Sequence, residues 1–357
     1  MSDATAGTTT DQGPRPIGRV DAFQRKHRFV GAPLGVIYKY FDDQGANLSA
    51  ILTYYAFIAI FPLLLLSTSI LGFVLQGNNG LRDRLLDSAL SQFPIIGDQL
   101  GRPEGLQGST GAIVVGALTA TYGAMGLGQA IQNAANIAWS VPRNSRANPF
   151  LLRFRSLAFL SITGLGILVL AIVTSVLSNS GVIGTDLAPA VDRLVKVASF
   201  VLTVLIFAAI FRLVSLGRAR FRSVLPGAFV TGLLWQVLQF GGNSYVREVI
   251  GNADNQVNRT FALVLGLLAF IYIASIMVVL GLEVNVVLRR HLYPRALLTP
   301  FTDNVILTEA DQKAYAAYAK AQRHKGFESV EVTFEERTPR GTAVSPEATS
   351  ERPAEMP

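Results

Sequence analysis

The feature that most constrains this fold is a run of nearly thirty residues, from Asn47 to Leu75, without a single Asp, Glu, Lys, Arg or His. About 20 consecutive apolar residues suffice for a helix to cross the roughly 30 Å hydrocarbon layer of a bilayer. The run is too long and too apolar for a helix in a soluble core. It predicts a transmembrane helix near the start of the chain.

The composition is also that of a membrane protein. Of the 357 residues, 50% are hydrophobic and only 15% are charged, which is typical of a chain whose main solvent is lipid. The absence of cysteine excludes disulfides, thiolate metal ligands and a cysteine nucleophile. The net charge of +7 favours cytoplasmic loops that face anionic lipid over the binding of nucleic acid.

Five further apolar runs predict five more spans. The expected fold class is therefore all-α: a polytopic membrane protein with six transmembrane helices, short amphipathic surface helices and disordered tails. The predicted six-helix domain covers residues 47–290. The first twenty residues lack the apolar core of a signal peptide, so the first span is expected to act as the insertion signal. The additional runs are at about Gly111–Ala130, Ser156–Leu177, Val195–Phe211, Val224–Tyr245 and Phe261–Leu288.

Two segments precede the six-helix domain. Residues 1–19 are rich in Ser, Thr, Gly and Pro, which predicts a disordered cytosolic tail. Residues 20–46 mix large apolar and basic side chains and are broken near Gly31 and Pro33, which predicts short helices on the membrane surface. Asp42 and Asp43 end this segment, where we expect them to cap the first span.

Amphipathic helices are also predicted elsewhere. Leu81–Phe93, after the first span, places its leucines on one helical face and its charges on the other, which indicates a surface helix. Residues 291–357 are interpreted as a cytosolic tail with a short helix at about 308–323. Thr308 is the expected N-cap of that helix, with Asp311 at its third position.

The orientation follows from Lys and Arg in the short connections. With the N-terminus inside, the inner flanks of the six spans carry fifteen such residues and the outer flanks seven. Both termini are therefore predicted to lie in the cytosol. Membrane lipids are the expected partners. A second copy of the chain and a cytosolic partner of the C-terminal tail are further candidates. Nucleic acid is not expected to bind.

Polar residues inside the spans are the candidate functional residues, because polar groups in hydrocarbon need a partner. In the first span, the missing N–H of Pro62 frees a carbonyl one turn earlier, and Tyr54 lies closer to the cytoplasmic end. A kink at Pro62 predicts a hinge or a cavity wall. The alternative is that neighbouring helices satisfy that carbonyl.

Amides form two further stripes. Gln129, Gln132, Asn133 and Asn136 are spaced to share one side of the second span, and Gln236, Gln239 and Asn243 share one side of the fifth. Each stripe is interpreted either as the wall of a polar cavity or as hydrogen bonds between helices. The glycines Gly123, Gly126 and Gly128 lie within an apolar helix and not after a strand, so they indicate close helix packing and not a dinucleotide loop.

Glu283 is a carboxylate within about two turns of the end of the sixth span. The expected partner is a loop arginine such as Arg218, Arg220 or Arg222, which would form a structural ion pair, and the alternative is that Glu283 senses protons at the cytoplasmic mouth. His27, His291 and His324 lie far apart in sequence, and no metal-binding or nucleotide-binding motif is present. No catalytic residue, cofactor or metal site is predicted, and the chain is not expected to be an enzyme.

Four segments carry a resemblance to a known family. They are an aspartate before NLSAILTYYAFIAIFPLLLL (47–66), a Gly-rich second span that ends in NIAW (136–139), LPGAF (225–229) with Trp235 after it, and IYIASIMVVLGLEVN (271–285). Over about 20–290 the chain resembles the YihY/virulence factor BrkB family of bacterial inner-membrane proteins, once labelled ribonuclease BN. Leu282 stands where family members commonly have alanine before the glutamate.

The resemblance implies six helices with both ends inside and a place in the bacterial cytoplasmic membrane. One branch of the family has been linked to movement of lipid or lipopolysaccharide, which suggests a transporter or translocase of a lipidic or amphipathic substrate. The alternative is a non-catalytic membrane scaffold or envelope-integrity factor. Convergence of Pro62, Gln129, Gln236 and Glu283 on one cavity favours transport, and dispersal favours the scaffold. A ribonuclease is not expected, because the clustered ligands of a metal-dependent nuclease are absent.

Overall fold

The computed structural model describes residues 18–74, 110–178, 188–215, 220–251, 256–297, 299 and 305–335. Regular secondary structure in these residues is helical, with no strands, so the predicted all-α class is confirmed. The predicted surface helix Leu81–Phe93 lies outside the described residues. So do nearly all of the N-terminal tail and the end of the C-terminal tail.

The described part of the chain forms nine α-helices. A short 3₁₀ turn at Arg143–Ser145 follows the fourth of them, and the π-helical segment Val246–Ile250 continues the seventh. The helices are α1 (Arg19–Lys26), α2 (Arg28–Asp42), α3 (Gly45–Val74), α4 (Thr110–Ala138), α5 (Pro149–Ser178), α6 (Ala188–Val214), α7 (Phe221–Tyr245), α8 (Gln256–Arg290) and α9 (Glu309–Ala321).

The long helices α3 to α8 correspond to the six apolar runs of the sequence. Within the described residues, three helical segments are long and apolar enough to cross a membrane by length and composition, namely Arg193–Val214, Phe221–Ile250 and Thr260–Arg290. These segments are consistent with a membrane protein. The number of six spans stays a prediction.

The six long helices form a closed ring. Each of α3 to α7 packs against the next helix along the chain, and α8 closes the ring by packing against α3. The amphipathic helix α2 packs against α8, and α1 packs against α2. The C-terminal ends of α2 and α8 are therefore at the same end of the bundle, beside the start of α3.

Glycines allow the long helices to approach closely. A Cβ atom on Gly123 would lie 2.9 Å from the backbone of Ala59 in α3, and one on Gly128 would lie 2.5 Å from Ser156 in α5. The prediction that the glycines of the second span serve helix packing is confirmed by these contacts.

The predicted break near Gly31 and Pro33 is wrong, because α2 runs without interruption from Arg28 to Asp42 and the chain turns earlier, at His27. Packing of both glycines of α2 explains the difference. A Cβ on Gly31 would lie 2.9 Å from the carbonyl oxygen of Gln24, and one on Gly35 would lie 2.9 Å from that of Leu292. Tertiary contacts of this kind outweigh the local helix-breaking tendency of glycine and proline.

Candidate functional site

A cavity of about 320 Å³ lies inside the ring of long helices. This volume falls within the range of small-molecule binding pockets, about 300 to 1,000 Å³. All six long helices contribute to its wall. The lining residues are Leu52, Ala56, Ala59, Ile60, Leu127, Ile131, Phe159, Thr163, Leu170, Thr203, Ile206, Phe207, Ile210, Trp235, Leu267, Phe270, Ile271, Ala274, Ser275 and Val278.

The wall of this cavity is almost entirely apolar. Its hydroxyl groups are mostly satisfied within their own helices, since Thr203 donates to the carbonyl of Ser199 at 2.8 Å and Ser275 donates to that of Ile271 at 2.8 Å. The Thr163 hydroxyl is buried without a hydrogen-bond partner among the described residues. The cavity therefore suits a hydrocarbon group, with one polar atom available on α5.

An aromatic group forms part of the wall. The ring of Trp235 in α7 lies edge-on to Phe207 in α6, with 6.2 Å between centroids, and edge-on to Phe270 in α8 at 5.9 Å. Such edge-to-face pairs add to the stability of a packed core beyond the area they bury. Trp235 therefore joins three helices at the side of the cavity.

The ten residues selected from the sequence do not converge on this cavity. None of those whose side chains are described belongs to its lining. Tyr54 is 59% exposed and stacks edge-on against Tyr55. Pro62 lies within α3, and its side chain is outside the described residues.

The amides of the second span divide between two environments. Gln129 and Asn133 are exposed, whereas Gln132 and Asn136 are buried. The Gln132 amide nitrogen donates to the Ser156 hydroxyl at 3.1 Å and to the Leu152 carbonyl at 3.1 Å, both in α5. Gln132 therefore acts as a hydrogen-bonded link between α4 and α5.

The amides of the fifth span lie toward the outside of the ring. Gln236 and Asn243 are exposed, and Gln239 is half-buried. In the same helix, Phe240 is 76% exposed and Val237 is 62% exposed. This face of α7 therefore combines apolar side chains with amides and points away from the cavity.

Glu283 is completely buried near the C-terminal end of α8. Its carboxylate oxygen lies 3.6 Å from the Lys39 ammonium nitrogen in α2, and Lys39 also contacts Asp43 at 2.5 Å. All three side chains are 5% exposed or less. The expectation that Glu283 pairs with a loop arginine is wrong for the two arginines that the structure describes, since Arg220 and Arg222 are exposed. Packing of α2 against α8 places a lysine there instead.

A second group of charges surrounds Arg295, which is also completely buried. Its guanidinium contacts Asp311 at the start of α9 and lies 2.9 Å from Asp42 at the end of α2. Asp311 also accepts hydrogen bonds from the backbone of Ala296 and Thr308. We refer to Lys39, Asp42, Asp43, Glu283, Arg295 and Asp311 together as the ionic cluster.

The ionic cluster fixes α9 against the end of the bundle. Thr308 is the N-cap of α9 and forms a capping box with Asp311. Tyr318 covers the cluster, with its ring 5.0 Å from the Lys39 nitrogen and its hydroxyl 3.4 Å from Asp42. Asp42 therefore forms an ion pair with a distant segment, and Asp43 forms one with Lys39 of the preceding turn. The cap expected from their position before the first span is not the role that the structure gives them.

Burial and charge alter the ionisation of the groups around Arg295. Burial raises the pKa of Tyr318 above its ordinary value, and the neighbouring Asp43 and Asp42 raise it further. Burial acts to lower the pKa of Arg295, but its bonds to Asp311 and Asp42 outweigh this effect and raise it. Arg295 thus remains a cation and Tyr318 a neutral phenol at neutral pH.

Of the residues at this end of the bundle, the sequence indicates Glu283 as a functional candidate but not Lys39, Arg295 or Tyr318. The spacing of Lys39 and Asp43 by four residues was a visible signal for their ion pair. The contacts of Asp42 with Arg295 and with Tyr318 join residues 253 and 276 positions apart, so no local pattern points to them. Among the described residues, no group of three or more His, Asp or Glu side chains is placed to hold a metal ion.

Comparison with known proteins gives one family. The model of the family described as Virulence factor BrkB matches residues 36–302, which include α3 to α8 and the C-terminal half of α2. No curated protein and no solved structure gives a significant match. Lys39, Glu283 and Arg295 lie inside the matched region, and Asp311 and Tyr318 of α9 lie beyond it.

Proposed function

The chain belongs to the virulence factor BrkB family, and we propose that it is an integral membrane protein that transports or translocates a lipidic or amphipathic substrate. The proposal includes six spans in the bacterial cytoplasmic membrane with both termini in the cytosol. The charge asymmetry of the loops and the closed ring of six long helices support that topology. The proposal assigns no catalytic residue and no cofactor.

The apolar cavity inside the ring carries this proposal. Its 320 Å³ are lined by side chains of all six helices, and the apolar wall offers an acyl chain surroundings similar to those of the bilayer. Lipid tails are as apolar as leucine, so a chain that moves from the bilayer into the cavity changes its free energy little. Because the free energy of the chain is similar in both places, the cavity is better suited to letting a lipid pass than to retaining it.

Transfer of labelled phospholipid across reconstituted vesicles tests the proposal. We expect the protein to accelerate transfer relative to protein-free vesicles, and Ala274→Phe to remove the acceleration because the new ring fills the cavity. Ala269→Phe is the matched control, since it makes the same change on the exposed side of α8. No acceleration with any of several lipid classes, or equal loss in both variants, contradicts the proposal.

The dispersal of the predicted polar residues favours a second candidate, a membrane scaffold or envelope-integrity factor. Gln132 bonds α4 to α5, and Gln129, Asn133 and Gln236 are exposed, so the amides are available for contacts between helices or proteins. In that role a filled cavity has no consequence. If cells that carry Ala274→Phe at wild-type protein levels have normal envelope integrity, the result favours the scaffold. If their envelope integrity is impaired, the result favours transport.

A further inference from the structure

The ionic cluster contains more negative than positive groups. Asp43 and Glu283 flank Lys39, and all three of these side chains are buried, whereas Asp42 and Asp311 flank Arg295, with Asp42 partly exposed at 13%. An unbalanced charge is costly in such surroundings, and carboxyl groups in this situation take up a proton. The hydrogen-bond donors around each carboxylate indicate which group is suited to bind that proton.

Three of the four carboxylates have donors that stabilise the ionised form. Asp311 receives bonds from Arg295 and from the backbone of Ala296 and Thr308. Asp42 receives bonds from Arg295 and Tyr318, and Asp43 receives one from Lys39. Each of these three carboxylates therefore has at least one hydrogen-bond donor.

Glu283 differs from the other three. Neither of its oxygens has a hydrogen-bond donor within bonding distance among the described residues, although the side chain is 0% exposed. Lys39 is 3.6 Å away and already engaged by Asp43. Asp43 and Glu283 therefore approach the same buried ammonium group, at 2.5 Å and 3.6 Å. Two ionised carboxylates beside one buried cation leave an excess negative charge, which a single proton on either carboxyl group removes.

We propose that Asp43 and Glu283 together bind one exchangeable proton beside Lys39. With that proton, Lys39 neutralises the single remaining negative charge and the site is balanced. The groups that face it are Lys39 and Asp42 from the end of α2, Tyr318 from α9 and Arg295 from the segment after α8. The site lies at one end of the ring and takes up the proton from that side of the bundle.

Two buried hydroxyl groups lie in the first part of α3, between this end of the bundle and the cavity. They belong to Ser49 and Thr53, which follow Asp43 in the chain. The Thr53 hydroxyl lies 3.2 Å from that of Ser275, which lines the cavity. Ser49 and Thr53 also donate to backbone carbonyls of their own helix, those of Gly45 and Ser49. Proton binding itself does not require that lipid transport occurs.

Infrared spectroscopy of the full chain in lipid nanodiscs tests the proposal. We expect the wild type to show the carbonyl band of a buried protonated carboxyl at neutral pH, and this band to disappear as pH is raised. Glu283→Gln removes one negative charge, so Lys39 and Asp43 balance each other and the band is lost. Asp43→Asn leaves Lys39 opposite Glu283 alone and removes the band for the same reason.

Glu309→Gln is the control, because Glu309 is 88% exposed on α9 and its change leaves the band intact. Absence of the band from the wild type between about pH 5 and pH 9, a range well above the ordinary carboxyl pKa, overturns the proposal even if a variant fails to fold. Persistence of the full band in either Glu283→Gln or Asp43→Asn also overturns it. The measurement uses no lipid substrate, so its outcome is independent of the transfer experiment.

Discussion

At the scale of single residues, the sequence gives little indication of which charged side chains are buried. Lys39 and Arg295 are among the largest completely buried side chains described. Each is held by two carboxylates from different segments, and together these contacts join the end of α2, the end of α8 and α9. A buried charge that loses its partner is far more costly than an exposed one, so this cluster is where single substitutions have the largest effect.

Removal of the Arg295 guanidinium is one such substitution. We expect Arg295→Met to lower the free energy of unfolding by about 3 to 5 kcal/mol, because it leaves Asp42 and Asp311 without their shared cation. Lys313→Met breaks an exposed ion pair with Glu309 and is expected to change the free energy of unfolding by at most about 1 kcal/mol. Unfolding of both variants in the same detergent measures the difference, and equal effects contradict it.

The phenol of Tyr318 gives a prediction for alkaline pH. Burial, Asp43 and Asp42 raise its pKa, so the folded protein keeps a proton that the unfolded chain releases above about pH 10. The folded state then binds more protons than the unfolded state, and stability falls as pH rises beyond that point.

Tyrosinate absorbance measures this effect. Tyr318→Phe is expected to leave the amplitude that develops before alkaline unfolding unchanged, because Tyr318 does not ionise in the folded protein. The same variant is expected to unfold at a higher pH than the wild type. A smaller absorbance change in the variant before unfolding shows that Tyr318 ionises in place and contradicts the prediction.

At the scale of elements, close helix contacts depend on glycines that the apolar pattern alone does not distinguish. A Cβ on Gly227 in α7 would lie 2.0 Å from the carbonyl oxygen of Gly281 in α8. The Gly227 amide also donates to the Asn285 side chain at 2.8 Å. The contact is between backbones, so no side-chain rearrangement relieves it.

Two glycine substitutions in α7 are expected to have opposite effects on stability. Gly227→Ala forces α7 and α8 apart and is expected to destabilise by about 1 to 3 kcal/mol. Gly241 is exposed and has nothing near the position of a Cβ, so Gly241→Ala is expected to stabilise by about 0.5 to 1 kcal/mol. Thermal unfolding of the two variants tests this, and the same sign in both contradicts the assignment of a backbone contact at Gly227.

At the scale of the whole molecule, the closed ring creates a space that no single helix contains. The cavity needs side chains from α3 to α8, and its apolar wall is the strongest structural support for a lipidic substrate. The wall includes one of the chain's two tryptophans, Trp235. The other, Trp139, is buried beside Arg290 and bonds Ser215, outside the lining.

This arrangement makes Trp235 a probe of the cavity. In a Trp139→Phe background, phospholipids with brominated acyl chains are expected to quench Trp235 fluorescence, because a chain that enters the cavity comes into contact with the indole. Ala274→Phe is expected to reduce the quenching and Ala269→Phe to leave it unchanged. Equal quenching in both variants shows that the bromine atoms reach Trp235 from outside the ring.

Several features follow from local sequence. The apolar runs predict long helices because a polar backbone in hydrocarbon must satisfy its hydrogen bonds internally. Thr308 and Asp311 mark the start of α9, since a capping box needs only residues three apart. The helix packing of Gly123 and Gly128 follows from their small size in an apolar segment.

Tertiary structure decided which side of each long helix faces the interior. A helix that is apolar around its whole circumference gives no signal of its rotation, so Gln236 and Tyr54 are exposed where their position in the span suggested a cavity wall. The partner of Glu283 was decided in the same way, because Lys39 reaches it only after α2 packs against α8. The sequence by itself determined that the chain forms long apolar helices. Only their packing determined the cavity and the ionic cluster, because both are built from contacts between residues far apart in the chain.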